Sequence, residues 1–454
     1  MIKAVLIANR GEIASRIIRT CKKMGLRSVA VYSEADQHAE HVQLADEAYH
    51  IGGSRVHESY LNQDRVLEVA KQAKVDAIHP GYGLLSEQAS FAENCRSKGF
   101  TFIGPSAEAI ALMGDKLQAR ESMIKAGIPV VPGSSMLTTI EEAIKEANRI
   151  GYPVMLKAAS GGGGIGIDLC YSDEDCRNAF EKNRKKATMF FGDSSLYIEK
   201  KIENPRHIEI QLLADHMGNV LTFGERDCSI QRRHQKVLEE APATFLTEET
   251  QRDMSQMAIQ AAQAIQYKNA GTIECLVDEE GMFYFLEMNT RLQVEHPVTE
   301  EIFDVDLVEW QIRIANGEQL PWKQNELKPQ GHSIEVRIYA EDPIRFLPSP
   351  GTITDIKKPV ANYIRHECPV KAGSVITPFY DPMIAKLIVT GTSREDAIAK
   401  LTDALQAYTV DGIKTNLPTL RGISQHPVFK SGDAQTSFIQ QYGSELVKLE
   451  EEKR

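Results

Sequence analysis

The chain has 454 residues, 42% of them apolar and 25% charged, with a net charge of −11. At about 150 residues per domain, this length predicts roughly three globular domains. The sequence has no apolar run of the ~18 residues that a membrane span needs. An acidic chain is also unsuited to binding nucleic acid through its overall field. We therefore expect neither a membrane nor a nucleic acid as partner.

The N-terminal residues and the cysteines favour a cytoplasmic protein. The first apolar run, AVLIA at 4–8, is shorter than the ~7–15 residues of a secretory signal core. The seven cysteines are scattered and form no C-x-x-C pair. This argues against a zinc finger or a disulfide framework and indicates reduced thiols.

The first 113 residues alternate predicted strands and helices. Short apolar runs predict buried parallel strands, and helical spacing predicts a helix over 60–74 with Ser59 as its cap. This order is typical of a doubly wound α/β domain. The predicted strands are 3–8, 28–32, 47–51, 76–80 and 101–104.

The pattern changes at Asp115, where a helix ended by Gly127 begins. A compact block follows, in which a helix, a strand, a glycine loop, a strand, a helix and a strand succeed one another. Alternating strands with one long helix come next, and after a polar loop a strand-rich segment ends in a helix and a charged tail. The block covers 130–203, the alternating strands 204–300 with the helix near 247–266, the loop 316–331, and the strand-rich segment begins at His332.

The glycine loop GGGGIG at 161–166 is a candidate phosphate-binding element. It joins two predicted strands, unlike a dinucleotide fingerprint, which leads from a strand into a helix. The N–H groups of a glycine-rich hairpin tip can still fold over phosphates. Lys157, four residues before the loop, favours this interpretation. A turn without a ligand is the alternative.

A carboxylate-bearing hairpin is predicted over 271–296, with DEEG at 278–281 as its turn. Pairing from the turn would set Glu287 opposite Thr272 and diagonal to Glu274, with roughly 7–8 Å between the two Cβ atoms of the carboxylate pair. Asn289 falls on the same face. Two carboxylates and an amide oxygen suit Mg²⁺ holding ATP phosphates. The alternative is a solvated, charged sheet face, which the apolar flanking residues argue against.

If the second strand continues beyond the hairpin, Arg291, Gln293 and Glu295 lie on the face that carries the carboxylates. Arginine can clamp a planar anion through two hydrogen bonds, and a neighbouring carboxylate can act as a base. These residues beside a metal–ATP site predict a small oxyanion substrate, which the spacing does not identify.

A basic segment at 225–242 forms a local positive patch in an acidic chain. An anion-facing role and a solvated loop balanced by Glu239 and Glu240 are equally compatible with it. Its cationic residues are Arg226, Arg232, Arg233, His234 and Lys236.

Eight motifs in this order resemble those of biotin carboxylase, from about residue 1 to about residue 440. The resemblance implies an ATP-grasp fold of the α/β class with an α+β centre. It implies an N-terminal Rossmann-like domain, a central ATP-grasp domain with a mobile lid, a C-terminal domain and a charged tail. We expect these at 1–114, 115–330 with the lid at about 130–203, 331–446 and 447–454. The motifs are IANRGEIA, HPGYGLLSE, FIGPS, GDK, GYPVMLKAASGGGG, RDCSIQRRHQK, EMNTRLQVEHPVTE and YDPMIAKL.

The resemblance also implies roles for individual residues, carried over by matching motif. The implied ATP contacts are Lys116, Lys157, Gly163, Gly164, Glu199, Lys200, Lys201, Ile202, His207, Gln231, His234 and Leu276, with Glu274 and Glu287 through the metal. The implied ligands of Mg²⁺ (or Mn²⁺) are Glu274, Glu287 and Asn289, and the implied bicarbonate site is Lys236, Arg291, Gln293, Val294 and Glu295. Arg337 and Tyr82 are the implied biotin contacts, and Arg291, Glu295, Lys236 and Arg337 the implied catalytic residues.

The implied activity is ATP-dependent carboxylation of biotin by bicarbonate through carboxyphosphate, giving ADP, phosphate and carboxybiotin. It is the first half-reaction of acetyl-CoA or another acyl-CoA carboxylase, in fatty acid biosynthesis. We expect a homodimer. No A-M-K-M-like motif is present, so we expect the biotin carboxyl carrier protein and the carboxyltransferase to be separate subunits. In the glycine loop, Ile165 stands where many members of the resembled family have a basic residue.

Three other functions share some of these features. A purine-pathway ATP-grasp carboxylase would share the hairpin but would not need QRRHQK and TRLQVEH together. A nicotinamide oxidoreductase is disfavoured because the first turn reads NRGE instead of G-x-G-x-x-G. A non-catalytic scaffold is disfavoured by the intact set of Lys116, Glu274, Glu287 and Arg291.

Overall fold

The computed structural model describes residues 1–159 and 166–451. Its layers comprise one parallel sheet, one large antiparallel sheet and a small three-stranded sheet, with helices packed on them. This confirms the predicted α/β class with an α+β centre.

The N-terminal part is a five-stranded parallel sheet in the order β3-β2-β1-β4-β5. All five predicted strands are present. The helix predicted over 60–74 is shorter than expected: it begins at Gln63, and Asn62 caps it through its side chain. Tyr60 is buried in the core instead. The elements are β1 Ala4–Ile7, α1 Gly11–Lys23, β2 Arg27–Ser33, α2 Glu40–Leu44, β3 Glu47–Gly52, α3 Gln63–Gln72, β4 Ala77–His79, α4 Ala89–Ser97, β5 Thr101–Phe102 and α5 Ala107–Gly114.

The compact block predicted at 130–203 is built on the three-stranded sheet β7-β6-β8. Its apolar side chains form a cluster of their own, with Leu156, Phe180 and Ile198 buried at its centre. The strands that flank the glycine loop pair antiparallel, as predicted, whereas Gly163, Gly164 and Ile165 lie outside the described residues. Helix α6, Lys116–Lys125, precedes the block, whose elements are α7 Ile140–Ile150, β6 Val154–Ala158, β7 Ile167–Cys170, α8 Asp173–Phe191 and β8 Leu196–Lys200.

The largest layer is an eight-stranded sheet in the order β13-β12-β9-β10-β11-β14-β19-β17. Strand β11, before the domain boundary predicted at residue 330, pairs with β14, after it. The sheet is therefore continuous across that boundary, which stays a prediction. The long helix predicted near 247–266 is present, with Thr247 as its cap. The elements up to the boundary are β9 Arg206–Ala214, β10 Val220–Arg232, β11 Gln235–Ala241, α9 Glu248–Ala264, β12 Asn269–Val277, β13 Phe283–Asn289, α10 His296–Phe303 and α11 Leu307–Ala315.

The C-terminal part adds three strands to the large sheet and two small two-stranded sheets, β15-β18 and β16-β20. Its helices cover an apolar cluster centred on Leu387, Leu401 and Leu420. Among the helices of the described ranges, none has the length and apolarity needed to cross a membrane. The elements are β14 His332–Tyr339, β15 Gly351–Thr352, β16 Asp355–Lys357, β17 Ile364–Glu367, β18 Val375–Ile376, β19 Met383–Gly391, α12 Arg394–Ala407, β20 Thr409–Asp411, α13 Leu417–Gln425, α14 Pro427–Lys430 and α15 Phe438–Glu451.

Candidate active site

A cavity of about 2160 Å³ opens where the three layers meet. One wall follows the carboxyl ends of the parallel strands, where open α/β sheets bind ligands. The second wall is the large sheet, and the third is the small sheet of the compact block. Of the basic segment, Arg232 and Arg233 also line the cavity, whereas Arg226 is buried outside it. Every described residue to which the resemblance assigns a role contributes to the lining, namely Tyr82, Lys116, Lys157, Glu199, Lys200, Lys201, Ile202, His207, Gln231, His234, Lys236, Glu274, Leu276, Glu287, Asn289, Arg291, Gln293, Val294, Glu295 and Arg337.

Lys236 is the centre of the polar network. It stands on β11, and its Nζ lies 2.6 Å from Glu209 Oε2, 2.9 Å from Glu274 Oε1 and 2.6 Å from Glu295 Oε1. Burial disfavours the ammonium ion, but the three carboxylates outweigh it and raise the pKa of Lys236 well above its usual value. A fixed buried cation of this kind can hold a small anion.

The carboxylate hairpin is present, but its register differs from the prediction. Glu287 pairs with Glu274 across the two strands, and Thr272 pairs with Asn289 instead. A β-bulge at Leu286 shifts the pairing of β12 and β13. The two carboxylates are therefore directly opposed instead of diagonal, which shortens the expected separation of their Cβ atoms to about 4.5–5.5 Å.

This arrangement concentrates negative charge. Burial and the facing charge of Glu274 raise the pKa of Glu287, which Lys116 partly offsets. Burial acts in the same direction on Glu274, but Lys236 and His207 outweigh it and lower the pKa of that carboxyl. Asn289 donates its Nδ2 to Glu274 Oε1 at 2.8 Å, so its amide lies beside the carboxylate pair.

The predicted continuation of the strand to Glu295 is wrong. β13 ends at Asn289, and the chain turns before α10 begins at His296. Pro297 in the first turn of α10 explains the change, because proline favours a helix start and cannot donate within a sheet. The three side chains still reach the cavity, from a turn instead of a strand.

Hydrogen bonds connect this turn to the hairpin. Arg291 donates from Nη1 to Gln293 Oε1 at 2.7 Å and from Nη2 to Asn289 Oδ1 at 2.9 Å. Gln293 donates from Nε2 to Glu274 Oε1 at 2.7 Å. The carbonyl of Val294 accepts from Lys386 Nζ at 2.7 Å. The candidate anion site and the carboxylate pair are thus one network.

Arg337 reaches the same network from β14 and Tyr82 from the N-terminal part. Arg337 Nη2 lies 2.9 Å from Glu295 Oε2, while the other oxygen of Glu295 is bound to Lys236. Burial opposes ionisation of Glu295, but these two cations lower its pKa well below the usual value. The hydroxyl of Tyr82 donates to Glu12.

The candidate nucleotide residues form two groups. Lys157 on β6 lies 2.5 Å from Glu199 Oε2, and His207 lies 2.8 Å from Glu274 Oε2 and 2.7 Å from Gln231. Lys200, which also lines the cavity, donates its Nζ to the carbonyls of Gly151 and Tyr152 at 2.9 and 3.0 Å.

The sequence analysis assigned no site role to several partners of these residues; Glu209 and Glu239 are buried, whereas the Glu87 side chain is 39% exposed. Glu209 bonds Lys236, Glu239 bonds Arg337, and Glu87 accepts from Arg291 Nε at 2.8 Å. Arg226, fully buried, bonds Glu209. Each of these residues lay in a segment that the sequence singled out. The alternation in PRHIEIQLLAD puts Glu209 on the same face as His207, Arg226 and Glu239 belong to the basic segment, and Glu87 ends the motif HPGYGLLSE.

Comparison with known protein families identifies the class of the molecule. Residues 115–323 match the family described as the carbamoyl-phosphate synthase L chain ATP-binding domain. Residues 1–110 match the biotin carboxylase N-terminal domain, and residues 335–441 match the biotin carboxylase C-terminal domain. The fold and cavity are therefore those of an ATP-grasp carboxylase.

Individual relatives narrow this further. The chain is 60% identical to a biotin carboxylase of Halalkalibacterium halodurans over 97% of both chains, and 58% identical to biotin carboxylase 2 of Bacillus subtilis over 97% of this chain and all of that one. It superposes with a TM-score of 0.94 on biotin carboxylase of Campylobacter jejuni, with 47% identity over 97% of this chain and 99% of that one. The chain belongs to the biotin carboxylase family, the ATP-dependent ligases that carboxylate biotin.

Proposed function

We propose that this cavity performs the two-stage carboxylation of biotin, with ATP and bicarbonate as the other substrates. The observation that carries the proposal is the meeting of Lys236, Glu295 and Arg337 with the Glu274–Glu287 pair in one cavity. A purine-pathway carboxylase would need the carboxylate pair but not an arginine from β14 bonded to the candidate base.

The residues present fit Mg²⁺ or Mn²⁺. Two directly opposed carboxylates with an amide beside them are hard oxygen ligands. Burial and the facing charge of Glu274 raise the pKa of Glu287, and a bound divalent cation would offset that charge. Glu274, Glu287 and Asn289 would hold the ion, which when bound offsets the charge of the ATP phosphates. Lys116 and Lys157 would bind the phosphates, with Gly163 and Gly164 of the glycine loop.

In the first stage, bicarbonate binds among Lys236, Arg291, Gln293 and Val294. The low pKa of Glu295 keeps that carboxylate deprotonated before the anion arrives. When bicarbonate takes hydrogen bonds from Lys236 and Arg337, their hold on Glu295 weakens and its basicity rises. Glu295 then accepts the bicarbonate proton, and the freed oxygen attacks the γ-phosphorus of ATP to give carboxyphosphate and ADP.

In the second stage, carboxyphosphate breaks down to CO₂ and phosphate in the closed cavity. Phosphate takes the ureido proton of biotin, and the N1′ nitrogen attacks CO₂. Arg337 and Arg291 stabilise the negative charge that develops on the ureido oxygen, and Tyr82 lines the same end of the cavity. We propose that the block at 130–203 closes as a lid, which would keep water from carboxyphosphate.

Beyond the reaction itself, we propose a homodimer that works in the cytoplasm with a biotin carboxyl carrier protein and carboxyltransferase subunits, in an acyl-CoA carboxylase of fatty acid synthesis. A dimer is named for the 2-oxoglutarate carboxylase domain of Hydrogenobacter thermophilus, which has 48% identity to this chain and a TM-score of 0.94. All seven cysteines are free, which suits a reducing compartment.

The decisive assay measures ADP release and carboxylated biotin with bicarbonate present or omitted. We expect ADP release to require bicarbonate and carboxybiotin to require ATP, bicarbonate and biotin together. Glu295→Gln keeps the size of the side chain but removes the base, and it should abolish both products. Lys414→Gln, on an exposed ion pair with Asp342, is the matched control and should behave as the wild type. ADP release that ignores bicarbonate would refute the proposal.

A further inference from the structure

The guanidinium of Arg337 is held by two different carboxylates. Its Nε donates to Glu239 Oε1 at 2.7 Å, and its Nη2 lies 2.6 Å from the same oxygen. Nη2 also lies 2.9 Å from Glu295 Oε2. Glu239 is therefore the two-point partner of Arg337, and Glu295 is the one-point partner.

The local strand pairing explains the first contact. Glu239 on β11 pairs with Glu335 on β14, and Arg337 follows two residues later on the same face of the sheet. Glu239 and Arg337 are thus diagonal neighbours, within reach of a long side chain. Both strands are interior strands of the eight-stranded sheet, so the contact is built into its most constrained region.

The two carboxylates differ in their surroundings. Glu295 lines the cavity and is also bound to Lys236. Glu239 is fully buried and is not part of the cavity lining. Among the residues that the structure describes, no group hydrogen-bonds its second oxygen, Oε2. Arg337 is therefore the partner on which the buried charge of Glu239 depends.

The difference matters because Glu295 cannot hold Arg337 throughout the reaction. In the proposed function, on which this inference rests, Glu295 accepts a proton in the first stage and becomes neutral. A neutral carboxyl loses most of its attraction for a guanidinium. Arg337 must nevertheless be in position in the second stage, when biotin reacts.

We propose that Glu239 is a positioning residue that keeps Arg337 aimed into the cavity while Glu295 is protonated. The pKa of Glu239 supports this. Burial raises it, Arg337 lowers it and the charge of Glu295 raises it again, giving a pKa of about 7. Protonation of Glu295 removes that last repulsion, so Glu239 becomes more fully ionised at the stage in which it acts alone.

The test compares the two half-reactions in Glu239→Gln. We expect bicarbonate-dependent ADP release without biotin to stay within about two-fold of the wild type. The KM for free biotin should rise about ten-fold or more, the size expected for one lost charge-assisted hydrogen bond. The double variant Glu239→Gln with Arg337→Ala should be no worse than Arg337→Ala alone, because the two residues would act as a unit.

Glu335→Gln is the matched control, because Glu335 is equally buried and directly opposite. It should leave the biotin KM unchanged. If Glu239→Gln does not fold, as judged by thermal unfolding, Glu239→Asp takes its place. The shorter aspartate side chain does not reach the guanidinium of Arg337, so this variant should also raise the KM for biotin.

An unchanged biotin KM, an equal loss of both half-reactions, or additive losses in the double variant would overturn the inference. These results are distinct from failure of the proposed function, which would appear as a wild-type chain that does not carboxylate biotin at all.

Discussion

Replacing Lys236 with methionine tests whether its ammonium holds the candidate site together. The Nζ atom contacts Glu209, Glu274 and Glu295, whose side chains are at most 7% exposed. Methionine keeps the length of the side chain and removes the charge. Removing one partner of a buried ion pair leaves an uncompensated charge and costs about 3–5 kcal/mol. Arg226 and Arg337 remain to pair with Glu209 and Glu295, so we expect the lower end of that range near neutral pH.

The loss should depend on pH in a defined direction. In the wild type, Lys236 helps to lower the pKa of Glu295 and Glu274. A carboxyl whose pKa is lower in the folded state stabilises the fold at pH values above its unfolded pKa of about 4.3, and this stabilisation is lost as the pH falls towards the folded pKa. Without Lys236, Glu274 keeps His207 as its partner, and we expect burial, the largest influence on its pKa, to raise that pKa above the unfolded value. The folded state then binds the extra proton, so stability falls as pH rises through that window, by up to about 1.4 kcal/mol per unit. The destabilisation should therefore be larger at about pH 8 than at about pH 5.5.

Urea unfolding followed by tryptophan fluorescence measures this without added metal ion. The chain has two tryptophans, Trp310 and Trp322, which pack on each other, and Trp322 also packs on Phe223 of β10. They report on the sheet that carries Lys236. Lys414→Met removes an ion pair of a side chain that is 68% exposed and should cost less than about 1 kcal/mol at either pH. The reasoning would be refuted if Lys236→Met lowered the free energy of unfolding by less than about 1 kcal/mol, or if the loss were larger at the lower pH.

Three further outcomes are expected. Glu287→Gln should keep the fold and lose most activity, by several kcal/mol of transition-state stabilisation, and near-normal turnover at saturating Mg²⁺ would contradict the metal assignment. Binding of an ATP analogue should slow hydrogen exchange in Val154–Ala158 and Ile167–Cys170, and unchanged protection would argue against a lid. Arg291→Ala should lose both bicarbonate-dependent ADP release and carboxybiotin formation, whereas Arg337→Ala should keep more ADP release than carboxylation. Equal losses in the two arginine variants would show that their roles are not divided.

The strands were predictable because burial on both faces of a parallel sheet leaves a continuous apolar run. The runs at 3–8 and 28–32 correspond to β1 and β2 for this reason. The hairpin at 271–296 was also predictable from its turn residues, but its register was not. A single extra residue at Leu286 moves Glu287 from a diagonal to a direct pairing with Glu274, and alternation alone carries no trace of such a bulge.

The catalytic candidates were found through motif matching more than through spacing. Alternation predicts Arg291, Gln293 and Glu295 on a strand, whereas they lie on a turn before α10. All three side chains nevertheless line the cavity, so the predicted residues still meet there although the predicted strand is wrong. Glu239 appeared in the sequence only as a counter-charge of the basic segment, because its partner Arg337 comes from β14, which only the folded sheet brings beside β11. Arg226 was placed in that segment, but its pairing with Glu209 depends on the register of β9 and β10, which the sequence does not show.

The charge pattern of the site bears on how it can take up anions. Lys236 and Arg337 are already paired with carboxylates, so an arriving bicarbonate ion must share these cations with Glu295. The proton of bicarbonate makes this sharing possible. Once Glu295 accepts that proton, its charge is gone and both cations are available to the new dianion. Proton transfer and anion binding are then coupled, and a site dominated by carboxylates can bind a negatively charged substrate because one of them is its base.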